Sequence, residues 1–550
     1  MTIRSAQQVD DGGVIRTDVA VVGSGAAGIT LARCLEGTGV DTLVLEAGGE
    51  KRDRDAEAGS FHVTHLGAPA RNQIEDRGRW FGGSMNLWFG RIALPDAIDF
   101  ARRGWVPHSG WPLEPESLTD WMTVAADILE VPHFDKFDLS TWPSNESVST
   151  FSDTSDLDLR AFFWAGAPDM AATARSGIDE SSSVVLLTEA TAQELVVDAS
   201  DRVSSIRVVG PGGRRFTVEA SEFVLAAGGF ENPRLLLASR GRFDAGLGNQ
   251  HDNVGRYYLD HPRGEGSARV DIRELTPSQR AVFDLLDEKA DGPFGPTQLR
   301  VVFPEHVQRS EELLNHSLHG YLLSDAHYSP GYLSFQRLRE RVAQRDLANP
   351  ADVARDLARM VRHVPELVEL ATGRATPTRF VVVDQMEQEP DRDSRVTVDH
   401  RDVDRFGLPR VSVDWRIGES TRRSQRRMHE LFEGALKSVG VSTFSSDVLD
   451  HPGDEPEMLD MKHPTGTTRM SASPRDGVVD ADGRVHGVGN LFVVGSSTFP
   501  TAGHFNPTLL IVALAARLAD HLHQRAGRSA HIERPLPRAA AADPVEPELG

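Results

Sequence analysis

Three glycines near the amino terminus have the spacing of a dinucleotide-binding loop. They read Gly23-x-Gly25-x-x-Gly28, after the apolar run Asp18–Val22 and before a helical pattern that begins at Ile29. The first glycine permits a tight turn, the second lets the backbone approach a pyrophosphate, and the third lets the helix pack close to the strand. Amide groups at the helix N-terminus then face the anion. The motif predicts a dinucleotide site and leaves FAD and NAD both open.

A carboxylate follows this loop at the distance that ribose recognition requires. The run Asp41–Glu46 predicts the second strand of a βαβ unit, and Glu46 ends it 18 residues after Gly28. A carboxylate there can accept hydrogen bonds from ribose hydroxyls and disfavours a phosphorylated ribose. We also assign the flanking residues Ser24, Ala26 and Ala47 to the cofactor site.

Composition limits the remaining function classes. The 550 residues, 39% of them hydrophobic, suffice for two domains with sizeable cores. The net charge of −22 disfavours nucleic-acid binding and would suit a neutral or cationic small substrate. The single cysteine, Cys34, rules out an internal disulfide and a cysteine-based zinc cluster, and we predict no metal site. Met1–Arg16 lacks a signal-like apolar core and no apolar run reaches about 20 residues, which predicts a cytoplasmic protein without membrane contact.

The segments after the βαβ unit have other predicted patterns of strands and helices. Val184–Leu237 predicts a βββα-like stretch with a hairpin at Pro211–Gly213. Pro350–Thr372 predicts one long helix, and strands are expected near Arg379–Asp384 and Arg395–Val398.

Six further blocks keep one order over about 500 residues and carry a family resemblance. Together with the glycine loop, they resemble the glucose–methanol–choline (GMC) family of FAD-dependent oxidoreductases. The sequences GSSTFPT and NPTL are most similar to those of the sugar-oxidising branch of this family, which includes pyranose 2-oxidase and bacterial glycoside 3-oxidases. The blocks are RWFGGSMNLW at Arg79–Trp88, SGWP at Ser109–Pro112, VLAAGGFENP at Val224–Pro233, GLGN…VGR…HP within Gly246–Pro262, HPTGTTRM from His463, and the segment from Asp476 that contains GSSTFPTAGHFNPTLL.

The resemblance implies an α/β fold with two domains. A Rossmann-like FAD-binding domain is expected from the discontinuous segments 15–104, 183–264 and 460–525. A sheet-based substrate-binding domain is expected from 105–182 and 265–459. The tail 526–550, rich in Ala, Pro, Arg and Glu, is predicted to be disordered.

The same resemblance assigns the catalytic pair. His463 matches the family's catalytic histidine, whose imidazole can take the hydroxyl proton of an alcohol while FAD takes the hydride. Asn506 occupies the partner position, where the family carries His or Asn, and would position the alcohol. Asn506-Pro507 also predicts a plain helix start, with Asn as N-cap and Pro at the first helical position.

The loop Gly82–Trp88 resembles the segment that runs along the isoalloxazine ring. In several relatives a histidine of this loop is bonded covalently to the flavin, and Leu87 stands at the matching position. Leucine has no nucleophile, so non-covalent FAD is expected. Phe89 stands where some oxidases of the family carry a small polar residue near the flavin edge; it is expected to be a core aromatic, with restriction of oxygen access as the alternative. The remaining expected cofactor contacts are Gly82, Gly83, Asn86, Trp88, Ala192, Ala227, Gly228, Asn232, Gly495, Ser496, Asn506, Pro507 and Thr508, and the expected substrate contacts are Gln385, Met461 and His504.

The predicted function is oxidation of an alcohol group to the carbonyl, on a sugar or glycoside, with oxygen or another electron acceptor reoxidising the flavin. Three alternatives stay open from the sequence. The net charge of −22 leaves room for an amino-sugar or aminoglycoside substrate. A lyase that cleaves cyanohydrins uses the same fold, and a non-catalytic FAD-binding scaffold forms a third class.

Overall fold

A computed structural model describes most of the chain. The described residues are 2–54, 57, 63–68, 77–131, 156–166, 169–287, 291–292, 295–343, 349–451, 453 and 456–527. The predicted disordered tail lies outside them from residue 528 onward.

The strands and helices of the described residues alternate along the chain. The strands are β1 (Thr2–Ser5), β2 (Val14–Val22), β3 (Thr42–Leu45), β4 (Val63–His65), β5 (Arg91–Ile92), β6 (Asp158–Trp164), β7 (Val184–Thr188), β8 (Thr191–Val197), β9 (Val203–Val209), β10 (Arg215–Leu225), β11 (Pro262–Asp271), β12 (Asp291–Gly292), β13 (Gly295–Val302), β14 (His316–Leu323), β15 (Arg379–Met386), β16 (Arg395–Val403), β17 (Pro409–Asp414), β18 (Phe444–Ser446), β19 (Leu459–Asp460) and β20 (Leu491–Val493). The helices are α1 (Ala26–Leu35), α2 (Ala97–Phe100), α3 (Thr119–Ile128), α4 (Met170–Glu180), α5 (Gly228–Ala238), α6 (Pro277–Leu286), α7 (Glu305–Glu311), α8 (Pro330–Ala343), α9 (Pro350–Arg362), α10 (Val364–Ala371), α11 (Glu419–Ser438), α12 (Asp447–Asp450) and α13 (Thr508–Arg525).

The first sheet is built around buried parallel strands. Its order is β1-β7-β3-β2-β10-β9-β8, and β20 pairs with β10 in parallel. Residues 19–22 of β2 and all of β3 are buried, as expected for strands covered on both faces. Helices α1 and α13 pack on each other beside this sheet. The predicted α/β class is confirmed, and the sheet gathers strands from three separate stretches of chain.

The second sheet is mainly antiparallel. Its order is β18-β11-β15-β14-β13-β6-β5, with β12 beside β13 and β19 beside β11. One face of it packs on α6 and α11, where Phe283, Met428 and Phe432 are buried. The other face is rich in polar side chains and is described below with the site. Strand β5 lies within the predicted FAD segment 15–104 but pairs with β6 of this second sheet.

Two of the predicted elements differ from those in the structure. Val184–Leu237 contains four strands before its helix rather than three, and the hairpin at Pro211–Gly213 joins β9 to β10 as predicted. The expected single helix from Pro350 is wrong, because α9 ends at Arg362 and α10 begins at Val364. His363 leaves helical geometry at φ −116° and ψ 29°, and Pro365 has no amide hydrogen to continue the helical bonding. The apolar residues keep the same spacing through both helices, so the sequence pattern does not reveal the break between them.

No helix among the described residues is both long enough and apolar enough to cross a membrane.

Candidate active site

The glycine loop joins β2 to α1 and is tightly enclosed by backbone. Gly23 has φ +103°, and a Cβ atom there would lie 2.7 Å from the carbonyl oxygen of Ala226. A Cβ atom on Gly28 would lie 1.9 Å from the carbonyl oxygen of Gly23. Gly25 caps α1 and has open space where its Cβ atom would be. The predicted dinucleotide loop is therefore present, and only its middle glycine faces free space.

Glu46 is buried at the carboxyl end of β3, directly beside the glycine loop. One of its oxygens accepts hydrogen bonds from the backbone and hydroxyl of Ser24, and the other accepts one from the Gly48 amide at 2.8 Å. A cavity of about 950 Å³ opens next to this strand end and is lined by residues that include Ala47, Arg79 and Phe406. The Glu46 carboxylate thus orders the glycine loop through Ser24, and the next residue, Ala47, lines a space large enough for a nucleoside.

The loop Gly82–Trp88 lies against the glycine loop. The Gly82 amide donates to the Ser24 carbonyl at 3.2 Å, and a Cβ atom on Gly83 would lie 3.1 Å from the Gly25 Cα atom. Asn86 ties its own loop together by donating to the carbonyls of Phe81 and Gly83. Leu87 and Trp88 are partly buried, at the carboxyl end of the turn.

The expectation for Phe89 is wrong. Its side chain is 86% exposed, so it is no core aromatic. The residue stands immediately before Gly90, whose φ of +75° turns the chain toward β5. This turn leaves the Phe89 ring outside the core.

A second group of predicted cofactor residues surrounds the start of α5. Asn232 accepts from the Ala227 amide at 2.8 Å and donates to the Ser497 hydroxyl at 2.9 Å. Gly228 has φ +84° with open space around it. Ala192 lies on β8, which is an edge strand of the sheet formed by the described residues. Gly228 and Asn232 follow the carboxyl end of β10, next to the glycine loop, because Leu225 pairs with Val22.

The segment after β20 contains the next predicted cofactor residues, Gly495 and Ser496. Gly495 has φ +121° and open space at its Cβ position. The Ser496 hydroxyl donates to the Pro464 carbonyl at 2.7 Å, next to His463. The structure therefore brings the two predicted blocks, from His463 and from Gly495, into direct contact.

His463 is partly buried and is fixed at its backbone and at its ring. Its amide donates to the Asp260 carboxylate at 3.0 Å, and its Nδ1 lies 3.0 Å from Nδ1 of His261. Burial, the His261 ring and the charges of Arg300, Arg91 and Arg263, in decreasing order, hold the pKa of His463 well below its usual range. The imidazole is consequently neutral at physiological pH and can accept a proton.

Asn506 and His504 lie on the segment that leads into α13. The helix begins at Thr508 with Pro507 as its N-cap residue, so the prediction of Asn506 as N-cap is wrong by one position. Pro507 already has helical angles, and its carbonyl accepts the Ile511 amide. The buried Oδ1 of Asn506 has no hydrogen-bond partner among the described residues. An amide oxygen left in this state is available to a ligand.

His504 is almost fully buried and faces a carboxylate. Its Nε2 lies 3.1 Å from Oδ2 of Asp96, while its Nδ1 has no partner within the part of the chain that the structure describes. Its carbonyl accepts from Nε2 of Gln385 at 2.8 Å. Gln385 in turn accepts from Nη1 of Arg300 at 2.7 Å.

One face of the second sheet carries the polar residues next to this segment, and we call it the polar wall. The registers of β13, β14, β15 and β11 place these side chains on a common face. Arg263 donates to the hydroxyl of Tyr321 at 2.7 Å, and its Nη1 lies 3.7 Å from the sulfur of Met461. The wall residues are Gln298, Arg300, Ser317, His319, Tyr321, Gln385 and Arg263.

The sequence prediction missed several residues at this site. His261 stood in a quoted block, at the end of Gly246–Pro262, but received no role. Arg263 and Arg300 carried no recognisable motif, because an arginine in a strand gives no local sign of the neighbour it meets. The pairing of strands that are distant in sequence decides those contacts.

Two family matches cover much of this chain. Residues 390–515 match the family described as GMC oxidoreductase, and residues 18–270 match the family described as FAD dependent oxidoreductase. The carboxyl-terminal part of the chain is thus similar to GMC oxidoreductases, and the amino-terminal part is similar to FAD dependent oxidoreductases. The matched stretches contain the glycine loop, Glu46, His463 and Asn506.

Several curated proteins are similar to this chain at modest identity. It is 26% identical over 343 residues to the fructose dehydrogenase large subunit of Gluconobacter japonicus, across 62% of this chain and 54% of that protein. It is 27% identical over 337 residues to paromamine 6'-oxidase of Streptomyces fradiae, across 61% and 51% of the two chains. The chain thus matches about half the length of these two relatives.

A solved structure shares the fold. The crystal structure of pyridoxine 4-oxidase from Mesorbium loti aligns with a TM-score of 0.52 and 17% identity, across 92% of this chain and 99% of that one.

The Glu46 carboxylate provides a first test of the FAD site. We expect Glu46→Ala to weaken FAD binding by about 1.5–3 kcal/mol, because hydrogen bonds to a charged group are lost. The holoenzyme that remains should keep its rate of flavin reduction. Fluorescence titration of apoprotein with FAD measures the dissociation constant. Glu50→Ala, an exposed glutamate on the same segment, is the control, and equal constants for both variants would remove Glu46 from the site.

Proposed function

We propose that this protein is a GMC oxidoreductase that oxidises an alcohol carbon of a sugar or glycoside to the carbonyl. The observation that carries the proposal is the polar wall beside His463 and Asn506. A polyhydroxylated substrate needs many hydrogen-bonding groups around the reacting carbon, and a largely apolar pocket would not supply them.

The described residues fit FAD. The glycine loop offers amide groups and open space to a pyrophosphate, and Gly228 and Gly495 leave room where side chains would intrude. Ala47, which follows Glu46, lines a cavity that could hold the ribose and adenine. Bound FAD supplies an acceptor for the hydride that leaves the alcohol carbon. The remaining chemistry falls to side chains of this chain.

His463 takes the hydroxyl proton in this proposal. Its lowered pKa keeps the imidazole neutral, and its backbone bond to Asp260 fixes its position. Asn506 cannot act as a base, but its unpartnered Oδ1 can accept a hydrogen bond from the substrate and its amide group can donate one. A neutral base and a positioning amide are what an alcohol needs to lose a proton and a hydride together.

A panel of alcohols tests the proposal. The holoenzyme is mixed without oxygen with neutral sugars, their glycosides, an amino-sugar and pyridoxine, and flavin bleaching is followed by absorbance. We expect a neutral sugar or glycoside to bleach the flavin most rapidly. Bleaching by pyridoxine alone would contradict a sugar substrate, and bleaching by none of the alcohols would favour a lyase or a non-catalytic FAD protein.

An amino-sugar substrate is a second candidate. The similarity to paromamine 6'-oxidase favours it, and so does the net charge of −22. The cationic side chains of Arg263 and Arg300 on the polar wall oppose it, since an ammonium group would be repelled at short range. The panel separates the two candidates when each amino-sugar is compared with its neutral counterpart.

The absence of a nucleophile at position 87 predicts how FAD is held. We expect acid precipitation of the holoenzyme to leave yellow flavin in the supernatant, because leucine forms no covalent bond to the ring. Absorbance of the supernatant against the pellet measures the ratio. Flavin retained with the denatured protein would contradict the prediction and would point to attachment at another residue.

The division of roles between His463 and Asn506 is also testable. Asn506→Ala should slow anaerobic flavin reduction less than His463→Ala does, because Asn506 only holds the alcohol in line. Stopped-flow absorbance with a substrate from the panel measures both rates. If the Asn506 variant is the slower one, the two roles are exchanged.

A further inference from the structure

His261 is buried beside His463, and its two ring nitrogens have different partners. Its Nε2 lies 3.2 Å from the carbonyl oxygen of Ala502, and its Nδ1 lies 3.0 Å from Nδ1 of His463. The two rings are nearly perpendicular, with an interplanar angle of 87°. Every hydrogen bond needs one donor and one acceptor, so these two contacts restrict where the ring protons can be.

The carbonyl of Ala502 decides the tautomer of His261. A carbonyl oxygen only accepts, so Nε2 of His261 must carry a hydrogen. Burial is the main cause that lowers the pKa of His261 to about 4, and the ring is therefore neutral near pH 7. A neutral imidazole has a single ring hydrogen. Nδ1 of His261 consequently has a free lone pair and acts as an acceptor.

His463 must then donate through its own Nδ1. The ring of His463 is neutral as well, because its pKa lies well below its usual range. Its only ring hydrogen is used in the bond to His261, which leaves Nε2 of His463 without a hydrogen. That nitrogen is not engaged by His261 and has the lone pair that a general base requires.

We propose that His261 is a positioning residue that fixes the tautomer of His463, with the proton on Nδ1 and the lone pair on Nε2. The proposal rests on the proposed function in one respect, namely that His463 is the base. Asp260 supports the arrangement, because its carboxylate accepts from the amides of both His261 and His463. The carbonyl of Ala502 therefore determines the tautomer of His463 indirectly, through the ring of His261.

The tautomer can be measured without any substrate. Protonated and unprotonated imidazole nitrogens have well separated 15N chemical shifts, so the holoenzyme labelled with 15N-histidine is examined by NMR at pH 7. His463→Gln and His261→Asn identify the two rings among the 20 histidines. We expect Nδ1 of His463 to be protonated and its Nε2 to be unprotonated. A protonated Nε2 on His463 would overturn the proposal even if sugars reduce the flavin.

Two matched variants test the consequence for the rate. In His261→Asn, the amide oxygen can accept from His463 at the place of Nδ1, and we expect the flavin-reduction rate to stay within a few-fold of wild type. In His261→Leu, the volume is largely kept but the acceptor is lost. We expect the limiting reduction rate to fall by about 10- to 100-fold, the size of effect that partners of a functional histidine have elsewhere.

The readouts separate positioning from a structural role. The apparent substrate dissociation constant and the FAD content should be the same in both variants, and only the limiting rate should differ. Equal limiting rates for His261→Leu and wild type would overturn the proposal. If the leucine variant fails to fold, the tautomer of the wild-type protein and the rate of His261→Asn still decide it, since loss of the rate in the asparagine variant with normal FAD content also contradicts the proposal.

Discussion

His463→Ala is expected to lower the rate of anaerobic flavin reduction by about 10²–10⁴-fold, the usual contribution of a general base. A hydride leaves an alcohol carbon readily only if the hydroxyl proton leaves at about the same time, since otherwise a protonated carbonyl builds up. The alanine variant has no group at this position to take that proton. Stopped-flow absorbance of the flavin with a saturating alcohol measures the rate, and the FAD content should be unchanged.

The control for this variant is a histidine of the same chain that lies far from the site. His306 is exposed on α7, and His306→Ala should reduce its flavin at the wild-type rate. If His463→Ala is as fast as this control, His463 has a structural role and another group takes the proton. His504 is then the first residue to test, because the structure gives its Nδ1 no partner among the described residues.

The pH dependence of the wild-type rate follows from the environment of His463. Burial first, and then His261 and the arginines Arg300, Arg91 and Arg263, hold its pKa well below the usual range. A protonated imidazole cannot accept a proton, so the rate must fall where the ring becomes charged. Because the pKa is lowered, that fall should occur in acid, and the rate should be flat across neutral pH. The acid limb should disappear in His463→Ala.

The cofactor loop could be predicted from sequence because its parts are close together along the chain. A buried strand, three glycines and a helix determine the local geometry, and the close contacts at Gly23 and Gly28 explain why those positions lack side chains. The helix break at His363 could not be read from apolar spacing alone, since the apolar positions continue through it. The exposure of Phe89 depends on a turn at Gly90 and has no local hydrophobic signal.

The residues of the polar wall could not be predicted as neighbours from the sequence. Arg300, Gln385 and Arg263 lie on three strands, and they meet through registers that pair Arg263 with Gln385 and that bring β13 next to β14. A shift of one residue in any strand would turn its side chains to the opposite face. The contact between His261 and His463 is of the same kind, because the partners are 202 positions apart in the sequence. Such contacts follow from tertiary structure rather than from spacing.

Glu387→Gln is expected to destabilise the protein by about 3–5 kcal/mol, the cost of leaving one partner of a buried ion pair uncompensated. Glu387 and Arg103 are both 0% exposed and form two hydrogen bonds, at 2.7 Å and 2.5 Å. Glutamine removes the negative charge while the guanidinium stays buried. Denaturant titration followed by circular dichroism measures the change in the free energy of unfolding.

A second ion pair that also has two hydrogen bonds but is more exposed is the matched control. Arg427 and Glu311 also form two hydrogen bonds, at 2.7 Å and 2.9 Å, with about one third of each side chain exposed. Glu311→Gln should cost at most about 1 kcal/mol, because water already screens this pair. Equal effects of the two substitutions would mean that burial does not make the Arg103–Glu387 pair more sensitive.

The double variant Arg103→Met/Glu387→Leu distinguishes a buried charge from lost packing. It leaves no charge in the interior, so we expect it to be more stable than Glu387→Gln although it departs further from the native side chains. It still loses the acceptor of the Asn315 amide, which Glu387 binds at 2.9 Å, and should therefore stay below wild type by about 1–3 kcal/mol. If the double variant is instead less stable than Glu387→Gln, the hydrogen bonds of the pair matter more than the uncompensated charge. Asn315 also donates to Asp96 and Asp99, and Asp96 contacts His504. The carbonyl of His504 accepts from Gln385 of the polar wall, so the loss of Glu387 would act close to the proposed substrate site.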